Sequence, residues 1–367
     1  MNTHSFLHGI TKANPLHHSL TPFTSEGNYR NASIACILRL APPSWDSMGK
    51  TPPLPARFPS VDEVLEHMRA HDSMKGEGHE GGDHHDVGVE ILFIKRAMRP
   101  GDQWGGHVAW PGGFINDKED AITGVQREVM EELGVDLAAD SNYTHLGAMA
   151  PTMFGPSHKG LHPHVYMKLN IEKPEFVLEE KEVDAVTWIN AKHFLKCTNS
   201  SHLDTHTILA EDVISFSGWR KKLVMATARL LGMDKWHFPC VRIPPQKVHA
   251  YTDNHVENCE WVVWGLTFNT IRRLLRHANG GKEYLALDTP YRTENSIFNS
   301  FVAYFYKYYT KRHDESISAP NPDTDPNLHR KILVSSACGL AGVYGASAAA
   351  GVGIYALSTT MMANALI

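Results

Sequence analysis

Three glutamates crowded behind one arginine constrain this chain more than any other feature. Glu128, Glu131 and Glu132 follow Arg127, and residues 120–133 have helical periodicity that stops at Gly134, a residue suited to a left-handed helix cap. Spacings of three and four bring side chains to one helix face, so all three carboxylates share that face and repel one another unless a cation sits among them. Oxygen ligands suit a hard dication, and magnesium, or manganese in its place, suits phosphate chemistry. Arg127 stands one turn before Glu131 and can orient it, or brace Glu119. Gly112 and Gly113 follow Pro111 in a sharp turn where backbone carbonyls can approach a metal. A charge run is more often a solvated helix face. That alternative leaves the glycines, the lone arginine and the remote Glu119 unexplained.

Residues 113–135 resemble the signature of the Nudix family, G-x5-E-x7-R-E-U-x-E-E-x-G-U with U apolar. Gly113, Glu119, Arg127, Glu128, Val129, Glu131, Glu132, Gly134 and Val135 satisfy every fixed position. The resemblance implies an α/β (α+β) Nudix fold, a mixed β-sheet sandwiched between helices. It also implies Mg2+- or Mn2+-dependent hydrolysis of a nucleoside diphosphate derivative. By resemblance Glu128 and Glu132 are the main metal ligands, Glu131 is a ligand or the general base, and Gly113 offers a carbonyl. Arg127 counts among the catalytic residues. Glu182, just before the apolar run 185–189, is the second candidate base.

The surroundings resemble the coenzyme A pyrophosphatase branch of that family. Residues 92–97 (LFIKRA), 106–113 (GHVAWPGG) and 263–267 (VWGLT) carry the likeness. Arg96, Gly106 and Gly112 are its substrate-binding candidates. Asp102 stands where the branch's motif has an arginine, and Arg99 is the nearest replacement cation. The substrate expected from this likeness is coenzyme A or an acyl-CoA. An ADP-ribose or NADH pyrophosphatase, or a membrane-tethered nucleotide sensor without catalysis, are the alternatives.

The chain has 367 residues and a formal net charge of -5, so no global basic field draws it to nucleic acid. Five cysteines without a C-x-x-C pair argue against a disulfide framework or a thiolate zinc site. Residues 1–27 read as a flexible leader, without the apolar run of a secretory signal. The Nudix domain is expected over 28–280, with insertions at 41–86 and 196–255. Apolar runs predict strands at 34–40, 89–95, 145–149, 164–171 and 185–189. Periodicity predicts helices at 61–71, 217–232, 266–276 and 296–309. His79, His84 and His85 read as a solvated tract. Residues 281–331 read as an amphipathic helix and linker, the linker at 313–328 carrying Pro320, Pro322 and Pro326.

From Ile332 to Ile367 no residue is charged, and Arg330 and Lys331 stand immediately before the run. About 20 apolar residues suffice to span a bilayer, so a transmembrane helix is expected at 332–358. Basic residues only on its upstream side put the catalytic domain in the cytosol. The expected place is a tail-anchored one, on the mitochondrial outer, peroxisomal or ER membrane. Ala337, Ala341, Gly345, Ala349 and Gly353 share a helix face, a small-residue stripe that admits a homodimer. The other partner is the small-molecule nucleotide diphosphate substrate.

Overall fold

The computed structural model describes residues 1–13, 16, 31–41, 55–73, 88–100, 102, 104–154, 159–172, 176–213, 217–244, 249–250, 260–314 and 328–344. The strands are β1 (Asn31–Leu40), β2 (Val89–Arg96), β3 (Val108–Ala109), β4 (Gly112–Phe114), β5 (Tyr143–Ala148), β6 (Thr152–Phe154), β7 (Lys159–Lys168), β8 (Val183–Asn190), β9 (Asp204–Leu209), β10 (Lys235–Ile243), β11 (His249–Ala250), β12 (Trp261–Val263) and β13 (Arg292–Thr293). The α-helices are α1 (Thr3–His8), α2 (Val61–Ser73), α3 (Ala121–Leu133), α4 (Lys192–Leu195), α5 (Ala210–Val213), α6 (Gly218–Leu230), α7 (Gly265–Ala278), α8 (Ser296–Asp314) and α9 (Leu328–Tyr344).

The main sheet runs β11-β8-β2-β1-β7-β5, with short β3, β4 and β6 added to β2, β1 and β7. β1 lies parallel to β7 and antiparallel to β2 and β4, so the sheet is mixed. Most residues of β1 and β2 are buried, on both faces, which is what continuous apolar runs produce when both sheet faces are covered. On one face Ala35, Ile37, Leu92 and Ile94 meet Val125, Val129 and Leu133 of α3. On the other, Cys36, Leu38, Ile91 and Phe93 share a core with Phe268, Ile271, Leu274 and Leu275 of α7. The expected sandwich of a mixed sheet between helices is present.

A second, antiparallel sheet orders β12-β10-β13, with β9 also on β10. Residues 196–255 supply β9 and β10, while β12 and β13 come from later in the chain. Trp236, Phe238, Tyr291, Phe298 and Val302 fill its core. The first residues of the chain depart from the expectation of a loose leader. Phe6, Leu7 and Ile10 are buried in the core that α7 lines. Gly9 sits so close to the end of α7 that a Cβ there would lie 2.3 Å from the Ala278 carbonyl oxygen. A six-residue helix is too short for its apolar spacing to stand out in a sequence.

The transmembrane helix is corrected. Among the described residues no helix is long and apolar enough to cross a membrane. α9 has 17 residues, about 26 Å at 1.5 Å per residue, against a hydrocarbon core of roughly 30 Å. Its large apolar side chains are also committed elsewhere. Ile332, Leu333 and Leu340 are buried in one core with Phe298 and Val302 of α8, and Tyr309 and Ser335 join their hydroxyls at 3.1 Å. Gly339 lets the helices close up, because a Cβ there would lie 2.8 Å from the Phe301 ring. Ala337, the first residue of the small-residue stripe, is covered within this core. Residues 345–367, the histidines at 79, 84 and 85, and the prolines of the linker lie outside the described residues.

Leu340→Ala tests this packing. Truncating a buried leucine costs about 2–5 kcal/mol, so denaturant unfolding should show a clear loss of stability; an α9 that hangs free would leave the midpoint unchanged.

Candidate active site

The site is built where β4 crosses β1 and faces α3. Asp120 caps α3 by accepting the Thr123 N–H at 2.8 Å. Gly134 closes the helix with φ 68°, and its N–H donates to the Met130 carbonyl at 3.0 Å. Inside the helix Gly124 lets α3 approach the sheet, its would-be Cβ lying 3.2 Å from Ser33 Oγ. This approach carries Glu128 and Glu132 onto the Gly112 and Gly113 backbone. Gly112 has φ 142°, and a Cβ on it would meet the Ser33 carbonyl oxygen at 2.2 Å. A Cβ on Gly113 would sit 2.5 Å from the Glu128 carboxylate. A side chain at Gly112 would shift the turn, and one at Gly113 would displace the Glu128 carboxylate.

Arg127 binds the box together. Its Nε and Nη2 donate to the two oxygens of Glu119 at 3.0 and 3.1 Å, a bidentate, charge-assisted pair. Nη1 donates to Glu128 Oε1 at 3.0 Å and to Glu131 Oε2 at 2.8 Å. Nη2 also donates to the Phe114 carbonyl at 2.9 Å. The Arg127 guanidinium holds the Glu119 carboxyl below its usual range.

Glu132 is buried and accepts the Gly112 N–H at 2.9 Å. Burial pushes its carboxyl up to about 8. Burial also raises Glu128, against the opposing hydrogen bond from Arg127, with the Glu131 and Glu182 charges adding to the rise. One carboxylate oxygen each of Glu128, Glu132 and Glu182 lie within 4.8 Å of one another. This trio combines two box glutamates with one that lies 50 residues later, at the mouth of β8. Glu131 is not among the three. Its side chain is 57% exposed and is turned to Arg127. The structure thus sets Glu182 among the candidate ligands and Glu131 beside them, whereas the sequence reading put Glu131 in the ligand set and Glu182 outside it.

The substrate-side candidates lie next to this group. Gly106 has φ 77° and donates its N–H to the Arg96 carbonyl at 2.7 Å. Arg96 Nη2 pairs with Asp102 at 3.2 Å, and Asp102 also accepts the Trp104 N–H at 2.9 Å. The position that carries an arginine in the coenzyme A branch therefore carries the partner of Arg96 here. Arg99 pairs with Glu182 at 3.1 Å and donates to the Lys181 carbonyl.

Beyond Arg96 lies a group of rings that sequence reasoning missed. His107 packs edge-on to Trp104 and Trp264, with centroids 5.3 and 5.1 Å apart. His206 of β9 lies tilted against Trp264, with centroids 4.5 Å apart, and meets His107 at 6.4 Å. Burial, with the neighbouring His206 and Arg96, pushes His107 down to about 4, so its ring is neutral at pH 7. Trp264 lies in the second core, as expected of a residue that shapes the fold, while Trp104, His107 and His206 are half-exposed. No motif spacing links 104, 107 and 206. Only the second sheet brings them together.

Residues 82–206 match the family model of the NUDIX domain. The chain carries a NUDIX domain, with every fixed position of the box in place. An uncharacterized protein of Schizosaccharomyces pombe is 30% identical over 127 residues, covering 32% of this chain and 38% of that protein. The matched segment is thus well under half of the relative's length. Among solved structures, an Ap4A hydrolase of C. elegans in a binary complex is 15% identical and covers 45% of this chain and 84% of its own, with a TM-score of 0.26. A MutT protein of Methanosarcina mazei is 17% identical over 47% and 85%, with a TM-score of 0.27. The NUDIX domain of Shewanella oneidensis NrtR, complexed with ADP ribose, is 14% identical over 48% and 82%, with a TM-score of 0.26. Likeness at these scores adds nothing to the family match.

The raised Glu132 carboxyl has a consequence for the metal-free protein. A carboxyl whose folded value lies above its unfolded one destabilises the fold as pH rises from the unfolded value, near 4.3, to the folded value of about 8, and the cost is fully present above that. Glu132→Gln keeps an acceptor for Gly112 and removes the charge. Without divalent metal the variant should melt above wild type at pH 8 and level with it at pH 4. Equal melting curves at both pH values would contradict the burial of a titrating group there.

Proposed function

We propose that this chain is a Mg2+- or Mn2+-dependent Nudix hydrolase that cleaves a diphosphate linkage in a nucleoside diphosphate derivative, with coenzyme A or an acyl-CoA as first candidate. One observation carries the reading: Glu128, Glu132 and Glu182 gather around the glycine turn with Glu132 buried and held by the turn itself. A buried carboxylate without a positive partner is costly. Three carboxylates within a few ångströms, this buried one among them, fit a hard dication with oxygen ligands. Magnesium or manganese bound there, with the Gly113 carbonyl as a further donor, would supply positive charge against the phosphate oxygens.

The chain's own residues divide the remaining work. Arg127 fixes Glu119, Glu128 and Glu131 and so keeps the acidic side chains from springing apart. Glu131, exposed beside the trio, accepts the proton of the attacking water. That water oxygen bonds to phosphorus, and the bridging oxygen departs with the other phosphate. Glu182 is the alternative base, and its place in the trio favours a ligand role instead. Arg96 and Gly106 hold the phosphates. Trp104, His107 and His206 offer ring faces to the organic part of the substrate.

A panel with coenzyme A, acyl-CoA, ADP-ribose, NADH and dinucleoside polyphosphates is the test. Glu132→Gln should lower kcat on the best substrate by at least 100-fold, on the order of the 2.7–4 kcal/mol that one electrostatic stabiliser supplies. Wild-type turnover by this variant would remove Glu132 from the reaction, and no turnover of any panel member by the wild type would leave a non-catalytic nucleotide sensor. Trp104→Ala should raise KM about tenfold with a smaller change in kcat, since stacking of a base on an aromatic ring contributes about 1–3 kcal/mol. An unchanged KM across the panel would remove Trp104 from the substrate site.

A further inference from the structure

Away from the acidic trio, α6 shows two apolar faces where a surface helix ordinarily has one. Met225 and Ala228 point into the second core. Trp219, Leu223 and Leu230 are 70%, 59% and 86% exposed, and their spacings of four and seven place them in one stripe along the helix. Exposed Ala226 continues the stripe between Leu223 and Leu230. The helix cannot turn to bury this stripe without withdrawing the other face from the core.

Charge accompanies the stripe. Arg220, Lys221, Lys222 and Arg229 lie on the same 13 residues, and α6 has no acidic residue, although the whole chain has a net charge of -5. At 100° per residue Arg220 falls on one side of the stripe, and Lys222 and Arg229 fall on the other. The Arg220 guanidinium stands 5.7 Å from the Trp219 ring, and Arg229 pairs with Glu211 at 3.0 Å.

We propose that α6 seats the protein on an anionic lipid surface. Trp219, Leu223 and Leu230 enter the boundary between headgroups and acyl chains, and Arg220 and Lys222, on either side of them, reach the phosphates. Apolar side chains flanked by long cations define helices that lie in this interface, where tryptophan is favoured and lysine and arginine extend their charges outward along apolar stems. A second copy of the chain fits poorly, because α6 against α6 sets four cations against four. An acidic protein would satisfy the cations, but three well-exposed apolar residues on a convex helix match a flat, deformable apolar layer better than a rigid partner. This association crosses no bilayer and uses no residue of α9 or of the segment after it. It is independent of the reaction proposed for the acidic site.

Co-sedimentation of the full chain with extruded vesicles tests it, comparing pure phosphatidylcholine with phosphatidylcholine containing 30% phosphatidylserine. The expected result is at least tenfold tighter binding to the anionic vesicles, weakened by 0.5 M NaCl. Leu223→Ser with Leu230→Ser, and separately Arg220→Glu with Lys222→Glu, should each lose at least tenfold. Most of these side chains are exposed, so melting curves should match wild type; the single variant Trp219→Ser serves where a double variant does not fold. Vesicle binding that ignores phosphatidylserine, or that survives both sets of substitutions, overturns the proposal. So does binding to soluble polyglutamate without binding to either vesicle, which would make α6 a docking face for an acidic protein.

Discussion

A single guanidinium holds the acidic site in shape. Arg127 reaches Glu119, Glu128, Glu131 and the Phe114 carbonyl at once, so one planar fork ties the loop after β4 to the helix that follows it. Fork geometry is what a lysine could not supply. The charge also answers the mutual repulsion of the box glutamates before any dication arrives. Glu132 lies outside Arg127's reach and has only the Gly112 N–H, which is why burial raises its carboxyl so far. The box therefore contains acids balanced by protein and one left for another cation.

What could be read in the sequence follows from how locally each feature is encoded. The box spans 23 residues, and its helix, glycine cap and clustered acids all follow from spacing along one helix. The covered central strands were legible as continuous apolar runs. The identity of the third acid was not. Glu182 reaches Glu128 and Glu132 because β8 pairs with β2, and Glu131 turns away because Arg127 lies one turn before it; both depend on contacts that a spacing rule leaves open. His206 had no signal at all, since it meets His107 only after β9 has paired with β10.

The tail shows the opposite error. A count of uncharged residues from Ile332 onward measures what a helix could bury but not where it does so. Here α8 supplies an aromatic face, and α9 spends its isoleucine and leucines on that face. The glycine and serine that diluted the run as a bilayer span have a place in this packing: Gly339 admits the Phe301 ring, and Ser335 meets Tyr309.

Among the described residues the main sheet has a core on each face, and a further core surrounds β10. The acids stand where α3 packs on the main sheet, and Trp104 and Trp264 belong to the core around β10. Residues 204–240 can therefore drift under selection without disturbing Glu128, Glu132 or the glycine turn. Such a layout would let whatever meets the rings diverge between lineages while the acidic group keeps its arrangement.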